Sequence, residues 1–403
     1  MTKTAASSER AGYPLTKVRV SITNPSSRAL NVGIIGGGIG GVAAAVALRR
    51  AGLEVTVYER ALALREVGAG LMLWPNATRV LRELGVLENI AAVSGTSDHF
   101  LVRGDSGRIL MDIPLGHFEV PALCARRSDL LDALISALPC NVRLNHHFDC
   151  FETRKRGVAL HFAGGISAEH DVVIGADGIR SRVRSQLLGI HDPIYRGYTV
   201  WRGLARLPGA VPSGANSESW GRGKRFGILN TGGDRFTWYA TANTEENHVD
   251  SPDGRQCELL RMFSDWHDPV ERLIAATPDG TILKKGAYDL EPLRRWGSGR
   301  IMLLGDAAHP CTPNLGQGGC MALEDALVLA KSLKQESSPE IALRRYETVR
   351  TKRTRHVQQR SLLMGHIGQW ENRLITGGRE VVTSLLPAKI FQRNLRRVYS
   401  YAA

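Results

Sequence analysis

Gly36-Gly37-Gly38-Ile39-Gly40-Gly41 follows the short apolar run Val32 to Ile35 and opens an alanine-rich stretch, Val42 to Arg50. That stretch has a helical pattern and stops at Gly52; a second apolar run, Val55 to Tyr58, ends in Glu59. Gly36, Gly38 and Gly41 thus form Gly-x-Gly-x-x-Gly between a strand and a helix, with an acid closing the next strand. This is the order that a dinucleotide site requires. Gly36 permits the tight turn. Gly38 lets the backbone approach a pyrophosphate at the helix N-terminus, where unpaired N–H groups and the helix dipole favour an anion. Gly41 lets helix and strand pack closely, and Glu59 is placed to accept ribose hydroxyls. Taken alone, the turn leaves open which dinucleotide binds and for what reaction.

The 403-residue chain is long enough for two or three packing units with a sizeable core. No apolar stretch approaches the length of a membrane span, and residues 1–30 lack the apolar core of a signal peptide. A soluble cytoplasmic protein is expected, with the Ser-, Thr-, Lys- and Arg-rich leader as a poorly ordered extension; a transit peptide is the alternative. The six cysteines, Cys124, Cys140, Cys150, Cys257, Cys311 and Cys320, show no zinc-type spacing. Idle or buried thiols are expected, and no metal. Net charge is +13, and residues 341–403 alone carry thirteen Lys/Arg against three Glu. These charges alternate with apolar residues at helical spacing (Ile341, Tyr346, Val349; Leu362, Leu363, Ile367). The pattern predicts a solvated basic face on packed helices rather than a nucleic-acid site.

Two further strand–turn–helix units follow. Asp171 to Ile174 runs into Gly175-Ala176-Asp177-Gly178 and a basic helix pattern from Ile179 to Arg184. Arg300 to Leu304 runs into Gly305-Asp306-Ala307-Ala308-His309-Pro310. Asp306 therefore stands at the carboxyl end of a buried strand, where open α/β sheets bind ligands; as a helix cap it would have a purely structural role. Pro313-Asn314-Leu315-Gly316-Gln317-Gly318-Gly319 then opens a long apolar helix pattern, Met321 to Leu333.

These three separated motifs, in this order, resemble the single-component FAD-dependent aromatic hydroxylases, which include the salicylate, 4-hydroxybenzoate and urate hydroxylases and, more distantly, zeaxanthin epoxidase. The resemblance extends from about Val32 to Arg353. It implies a doubly wound α/β FAD-binding domain of the 4-hydroxybenzoate hydroxylase type, an antiparallel or mixed substrate sheet, and C-terminal helices. By the same resemblance Gly36, Gly38 and Gly41 hold the FAD pyrophosphate, Glu59 holds the adenosine ribose and Arg60 flanks the adenine. Arg127, in Arg-Ser-Asp-Leu, reaches the FAD phosphates and ribityl chain; Asp177 and Gly178 form a motif associated with both FAD and NAD(P)H. Asp306 meets the ribityl hydroxyls, and the segment from Pro313 through Gly316, Gly318 and Gly319 meets the flavin pyrimidine edge. A helix N-terminus there stabilises the negative charge of a reduced flavin. Gly68 to Ala77, with Gly70 and the Trp74-Pro75-Asn76 run, resembles the strand-to-helix passage beside the flavin, nearest the urate hydroxylase branch. Cys320 follows Gly319 as in that branch and is expected to be a packing residue.

Between Arg184 and Arg300, strand-like runs (Tyr198–Leu204, Arg225–Asn230, Phe236–Thr241) are separated by turn residues, which predicts an antiparallel sheet. Its aromatics, Tyr195, Tyr198, Trp201, Trp220, Phe226, Phe236, Trp238 and Tyr239, either wall a flat substrate or form core beneath the sheet. Arg225 resembles an arginine of the urate hydroxylase substrate sheet and is equally readable as a surface residue. Arg225, Tyr198 and Tyr239 are the candidate catalytic residues. The expected divisions are an extension over 1–30, FAD-binding parts over 31–100, 101–190 and 296–335, a substrate sheet over 191–295, and basic helices over 336–403. The resemblance implies a monooxygenase that uses NAD(P)H and O2 through a C4a-hydroperoxyflavin to oxygenate a small aromatic molecule, as a monomer or homodimer. NAD(P)H is a transient visitor, since no second glycine fingerprint exists. An epoxidase, a flavin dehydrogenase or oxidase, and a non-enzymatic FAD-binding protein remain the alternatives.

Overall fold

The computed structural model describes residues 29–64, 68–138, 141–209, 214–386, 398–401 and 403. Most of the extension expected over 1–30, together with Cys140, lies outside them. The apolar run of the opening turn becomes the strand Asn31–Ile35, inside a six-stranded sheet. The sheet order is Gly297–Ser298, Ile301–Leu303, Val172–Gly175, Asn31–Ile35, Glu54–Tyr58, Asn141–Arg143, parallel except for its first pair. Val32, Ile34, Val57, Val172 to Ile174 and Leu303 are fully buried, as expected where helices cover a parallel sheet and leave its strands uniformly apolar.

Between the first two of these strands in sequence runs the helix Ile39–Arg50, whose residues Val42 to Leu48 are buried. Its small side chains admit the second long helix, Gly318–Gln335. A Cβ on Gly40 would lie 3.2 Å from the Ala322 methyl and 3.1 Å from Leu304. The apolar pattern predicted over Met321 to Leu333 is this helix, which begins three residues earlier than its apolar residues indicate.

A seven-stranded sheet stands beside the first. Its order is Leu283–Asp289, Ile194–Arg206, Arg235–Asn243, Lys224–Asn230, Ala215–Trp220, His99–Gly104, Ile109–Pro114. All neighbours are antiparallel except Ala215–Trp220 and His99–Gly104. The sheet therefore reaches beyond the 191–295 stretch and draws two strands from residues 99–114. Alternation divides its side chains between two faces. Trp201, Phe226, Phe236 and Trp238 pack on the outer face with Leu259, Phe263, Val270 and Leu273 from the helices Arg255–Met262 and Val270–Ala275. These four aromatics are core. Tyr198, Trp220 and Tyr239 lie on the opposite face.

The C-terminal helices Pro339–Gly368 and Arg373–Leu385 correct the sequence reading of their phase. Ile341, Val349 and Leu363, expected to pack, are 56%, 43% and 57% exposed. Tyr346 is buried as expected and Leu362 and Ile367 are half-buried, but the buried stripe of the longer helix also runs through Leu343, Arg350, Thr354, Val357, Gln358 and Ser361. Its polar members have partners: Gln358 Nε2 donates to Pro310 O (3.0 Å) and Ser361 Oγ to Thr312 O (2.6 Å). Nor is the basic charge wholly solvated. Arg350 is fully buried between Glu324 and Asp325, each at 2.6 Å.

Candidate active site

The three sequence motifs, more than a hundred residues apart, converge. Gly36 has φ +108° and its N–H donates to Tyr58 O at 2.8 Å, which folds the turn back over the second strand. A side chain on Gly36 would run into Ala176 O, and one on Gly41 into Gly36 O. Glu59 sits beneath the turn, its carboxylate accepting from Gly37 N (2.7 Å) and Ala61 N (2.9 Å). Gly38 caps the helix Ile39–Arg50 without any side-chain hydrogen bond, so the first N–H groups of that helix stay available.

The second helix N-terminus has the same character. Gly316 is left-handed (φ +60°) and Gln317 caps the helix Gly318–Gln335 with no side-chain hydrogen bond. Leu71 approaches Gly319 closely enough that a Cβ there would lie 3.3 Å away. Gly318 faces Asp306, whose Oδ1 would be 3.9 Å from a Cβ on that glycine. The loop is held from behind by Asp325, which accepts from Gly305 N (2.9 Å), His309 Nε2 (2.6 Å) and Arg350 Nε (2.6 Å). Burial pushes the Asp325 carboxyl up, but His309 and Arg350 outweigh it and hold it below its ordinary pKa. Two uncapped helix N-termini, a turn so tight that Gly36 and Gly41 admit no side chain, and Glu59 at the strand end suit a dinucleotide that carries a second ring system. The residues present fit FAD.

Other predicted cofactor residues occupy varied positions. Arg60, Asp306 and Pro313 are exposed, whereas Gly70, Arg127 and Gly178 are half-buried. Arg127 packs its methylenes against Gly68, where a Cβ would lie 2.6 Å from its Cδ. Asp177 does structural work with one oxygen: Oδ2 accepts from Arg182 N (2.8 Å) and Val183 N (3.2 Å) and so anchors the helix Arg182–Leu188. Its Oδ1 is buried without a partner among the described residues. Cys320 is fully buried, and burial pushes its thiol up to about 12, which makes it an inert packing residue.

Arg225, Tyr198 and Tyr239 are brought together on the inner face of the seven-stranded sheet. Arg225 is not a surface residue; it is 2% exposed, and each of its three nitrogens has a partner. It donates to Glu218 (3.2 Å), Asn314 (2.6 Å) and Gln369 (2.9 Å), and its guanidinium carbon lies 5.7 Å from the Tyr198 ring centroid. The Tyr198 hydroxyl donates to the same Asn314 oxygen at 3.0 Å. The Tyr239 hydroxyl donates to Glu218, which also accepts from Trp220 Nε1 (2.6 Å). Burial and the Glu218 carboxylate hold the Tyr239 phenol well above its usual pKa, so it stays neutral. Glu218, Asn314 and Gln369, which hold this cluster together, are residues that the sequence did not single out. The flavin side closes onto this sheet through Gly70, whose N–H donates to Thr237 Oγ1 at 2.8 Å. Among the described residues, no cluster of His, Cys, Asp and Glu is arranged to hold a metal ion.

A model of the FAD binding domain matches residues 29–200 and 281–361. The chain belongs to this FAD-binding family. The break in the match falls on the central strands of the seven-stranded sheet. Aurachin C monooxygenase/isomerase of Stigmatella aurantiaca is 40% identical over 373 residues, covering 91% of this chain and 97% of that protein. The 6-hydroxynicotinate 3-monooxygenase of Bordetella bronchiseptica is 34% identical over 355 residues, covering 84% of this chain and 91% of the relative. The crystal structure of Klebsiella pneumoniae HpxO complexed with FAD and uric acid superposes with a TM-score of 0.84 at 28% identity, covering 92% of this chain and 97% of that one. The family's members named here are monooxygenases of aromatic or heteroaromatic rings, in agreement with the resemblance read from the three motifs.

Proposed function

We propose that the chain is an FAD-dependent monooxygenase that uses NAD(P)H and O2 to oxygenate a small aromatic or heteroaromatic molecule. The observation that carries this reading is the apposition of an FAD cradle to a polar, aromatic sheet face, joined at Gly70–Thr237 and at Asn314. FAD, when bound, supplies the redox chemistry and the activation of O2. The chain's own residues do the rest. The N-termini of the two uncapped helices bind the pyrophosphate and the charged edge of the ring. Glu59 takes the ribose, Arg127 the phosphate and ribityl side, and Asp306 the ribityl hydroxyls. Tyr198 and Tyr239 wall the substrate, while the surrounding sheet keeps water out. Arg225, neutralised by Glu218, fixes the two tyrosines rather than binding an anion itself.

Purified protein is expected to be yellow and to consume NAD(P)H faster with a subset of a hydroxylated aromatic panel. Mass analysis after turnover under labelled O2 is the test: one labelled oxygen in the product is expected, and an unlabelled or dehydrogenated product would overturn the reading in favour of a dehydrogenase or oxidase. No helix among the described residues is long and apolar enough to cross a membrane. With free thiols at Cys124, Cys150, Cys257, Cys311 and Cys320, we place the enzyme in a reducing cytoplasm, as a monomer or homodimer.

A further inference from the structure

Two arginines lie on the inner face of the seven-stranded sheet, and their surroundings differ. Arg225 spends its guanidinium on Glu218, Asn314 and Gln369. The Arg202 guanidinium makes no hydrogen bond or ion pair with any described residue. Strand register sets Arg202 opposite Tyr239 on one side and Leu283 on the other, on the same face as Tyr198 and Val200 of its own strand. Thr237, two residues from Tyr239, is the residue that receives the Gly70 N–H. Arg202 therefore stands beside the contact between the flavin strand and the sheet. The residue is half-buried, and its nitrogens are not sealed away from open space.

The electrostatics reinforce the contrast. Arg225 and Glu218 cancel each other, and the hydroxyls of Tyr198 and Tyr239 are committed to Asn314 and Glu218. On this face Arg202 is left as an uncompensated positive charge with uncommitted donors. Burial and the nearby like charge of Arg127 lower its pKa, yet an arginine starts so high that it stays charged at neutral pH. A desolvated cation with an open fork is costly unless a ligand completes it.

We propose that Arg202 is a specificity-determining residue that receives an ionised ring oxygen of the substrate, a phenolate or enolate, beside Tyr239. The inference rests on the monooxygenase reading and deepens it: the substrate class becomes aromatic rings with an acidic hydroxyl or lactam, bound as the anion, with the proton released to solvent. An opposite charge within a few ångströms lowers a hydroxyl pKa by about one to three units. Ionisation also makes the ring richer in electrons, which suits oxygen transfer to carbon.

The test uses FAD-loaded protein and two probes, 4-nitrophenol and its neutral methyl ether 4-nitroanisole, without turnover. Affinity is read from perturbation of the flavin spectrum, and the ionisation state of bound 4-nitrophenol from its phenolate absorbance as a function of pH. In the unaltered protein, bound 4-nitrophenol is expected to ionise at least one pH unit lower than free, with binding at pH 8 about ten-fold or more tighter than that of 4-nitroanisole. In Arg202→Met both preferences vanish; Arg202→Lys keeps part of the affinity preference because the charge remains. The flavin-to-protein absorbance ratio reports folding, and Arg202→Gln replaces the methionine variant if that one does not retain FAD. An unaltered protein that prefers the ether, shows no preference or binds neither probe overturns the proposal, as does an Arg202→Met or Arg202→Gln protein that keeps the preference. Labelled-oxygen turnover is measured separately. An anion preference that depends on Arg202 without oxygen incorporation would retire the monooxygenase reading and leave the anion site standing.

Discussion

Asn314 Oδ1 accepts hydrogen bonds from both the Tyr198 hydroxyl (3.0 Å) and Arg225 Nη2 (2.6 Å). Asn314 belongs to the loop that leads into the helix N-terminus at Gly318, whereas Tyr198 and Arg225 belong to the seven-stranded sheet. One carboxamide thus registers that loop against the inner face of the sheet, which we propose to be the substrate wall. Its amide nitrogen is in turn held by Thr312 Oγ1 and Ser361 O, both at 2.8 Å. Asn314→Ala leaves two buried donors without their acceptor, a loss of about 1–3 kcal/mol. The expected phenotype is retained FAD with uncoupling: NAD(P)H consumption continues while the ratio of hydroxylated product to peroxide falls several-fold, measured by chromatography and a peroxidase assay.

Glu218 is the electrostatic keystone of the same face. Glu218→Ala strands a buried guanidinium and the Tyr239 hydroxyl together, and breaking a buried pair in this way costs about 3–5 kcal/mol. A fall in thermal midpoint of several degrees is expected, larger than that of Arg225→Met, in which the remaining carboxylate still accepts from Tyr239 and Trp220. Because Tyr239 is held neutral, the activity profile of the unaltered enzyme should show no tyrosine ionisation below about pH 10.

At the opening turn, Gly41→Ala places a methyl on Gly36 O. The turn must shift, and with it the backbone N–H groups that meet the pyrophosphate. FAD affinity is expected to fall by about 100-fold, read by the recovery of free FAD fluorescence. Gly378→Ala meets nothing within 4 Å and serves as a neutral control.

His170 links proton binding to stability. Its ring is buried against Gly33 and bridges Tyr58 OH (2.9 Å) and Asn31 Oδ1 (3.0 Å), and burial pushes its pKa down to about 4. Between about pH 6.5 and 4 the unfolded chain binds a proton here that the folded chain refuses. Its contribution is therefore complete above pH 6.5 and is lost as pH falls toward 4, by at most about 3.4 kcal/mol. Urea midpoints measured across this range should decline in the unaltered protein and decline less in His170→Gln.

The nucleotide half of the molecule was legible in sequence because each of its parts is local: a strand, a glycine turn and an acid within thirty residues. The substrate half was only partly so. Arg225, Tyr198 and Tyr239 do meet, but Glu218, which organises Arg225 and Tyr239, sits in Ser217-Glu218-Ser219, a run that reads as an ordinary solvated edge. Gln369 comes from a helix end 144 residues beyond Arg225, and no local pattern ties the two. The phase of the helix Pro339–Gly368 was misread for a related reason. Much of its buried stripe is polar, satisfied by partners on other elements, so apolar periodicity located only part of it: Tyr346 is buried, whereas Ile341, Val349 and Leu363 face solvent.

That long helix touches both halves of the site. Arg350 is clamped on Asp325 behind the flavin loop, while Gly365 and Gly368 lie against Asn314 and Arg225, where Cβ atoms would come within 2.5 and 2.8 Å. The stretch from Arg350 to Gly368 is a rod of about 27 Å, pinned at each end by groups that cannot slip without exposing charge or colliding with a backbone. Such a splint resists any swing of one sheet against the other. In the proposed reaction, the arrival of a nicotinamide nucleotide and the departure of product are then expected to be accommodated by the small molecules and their immediate loops.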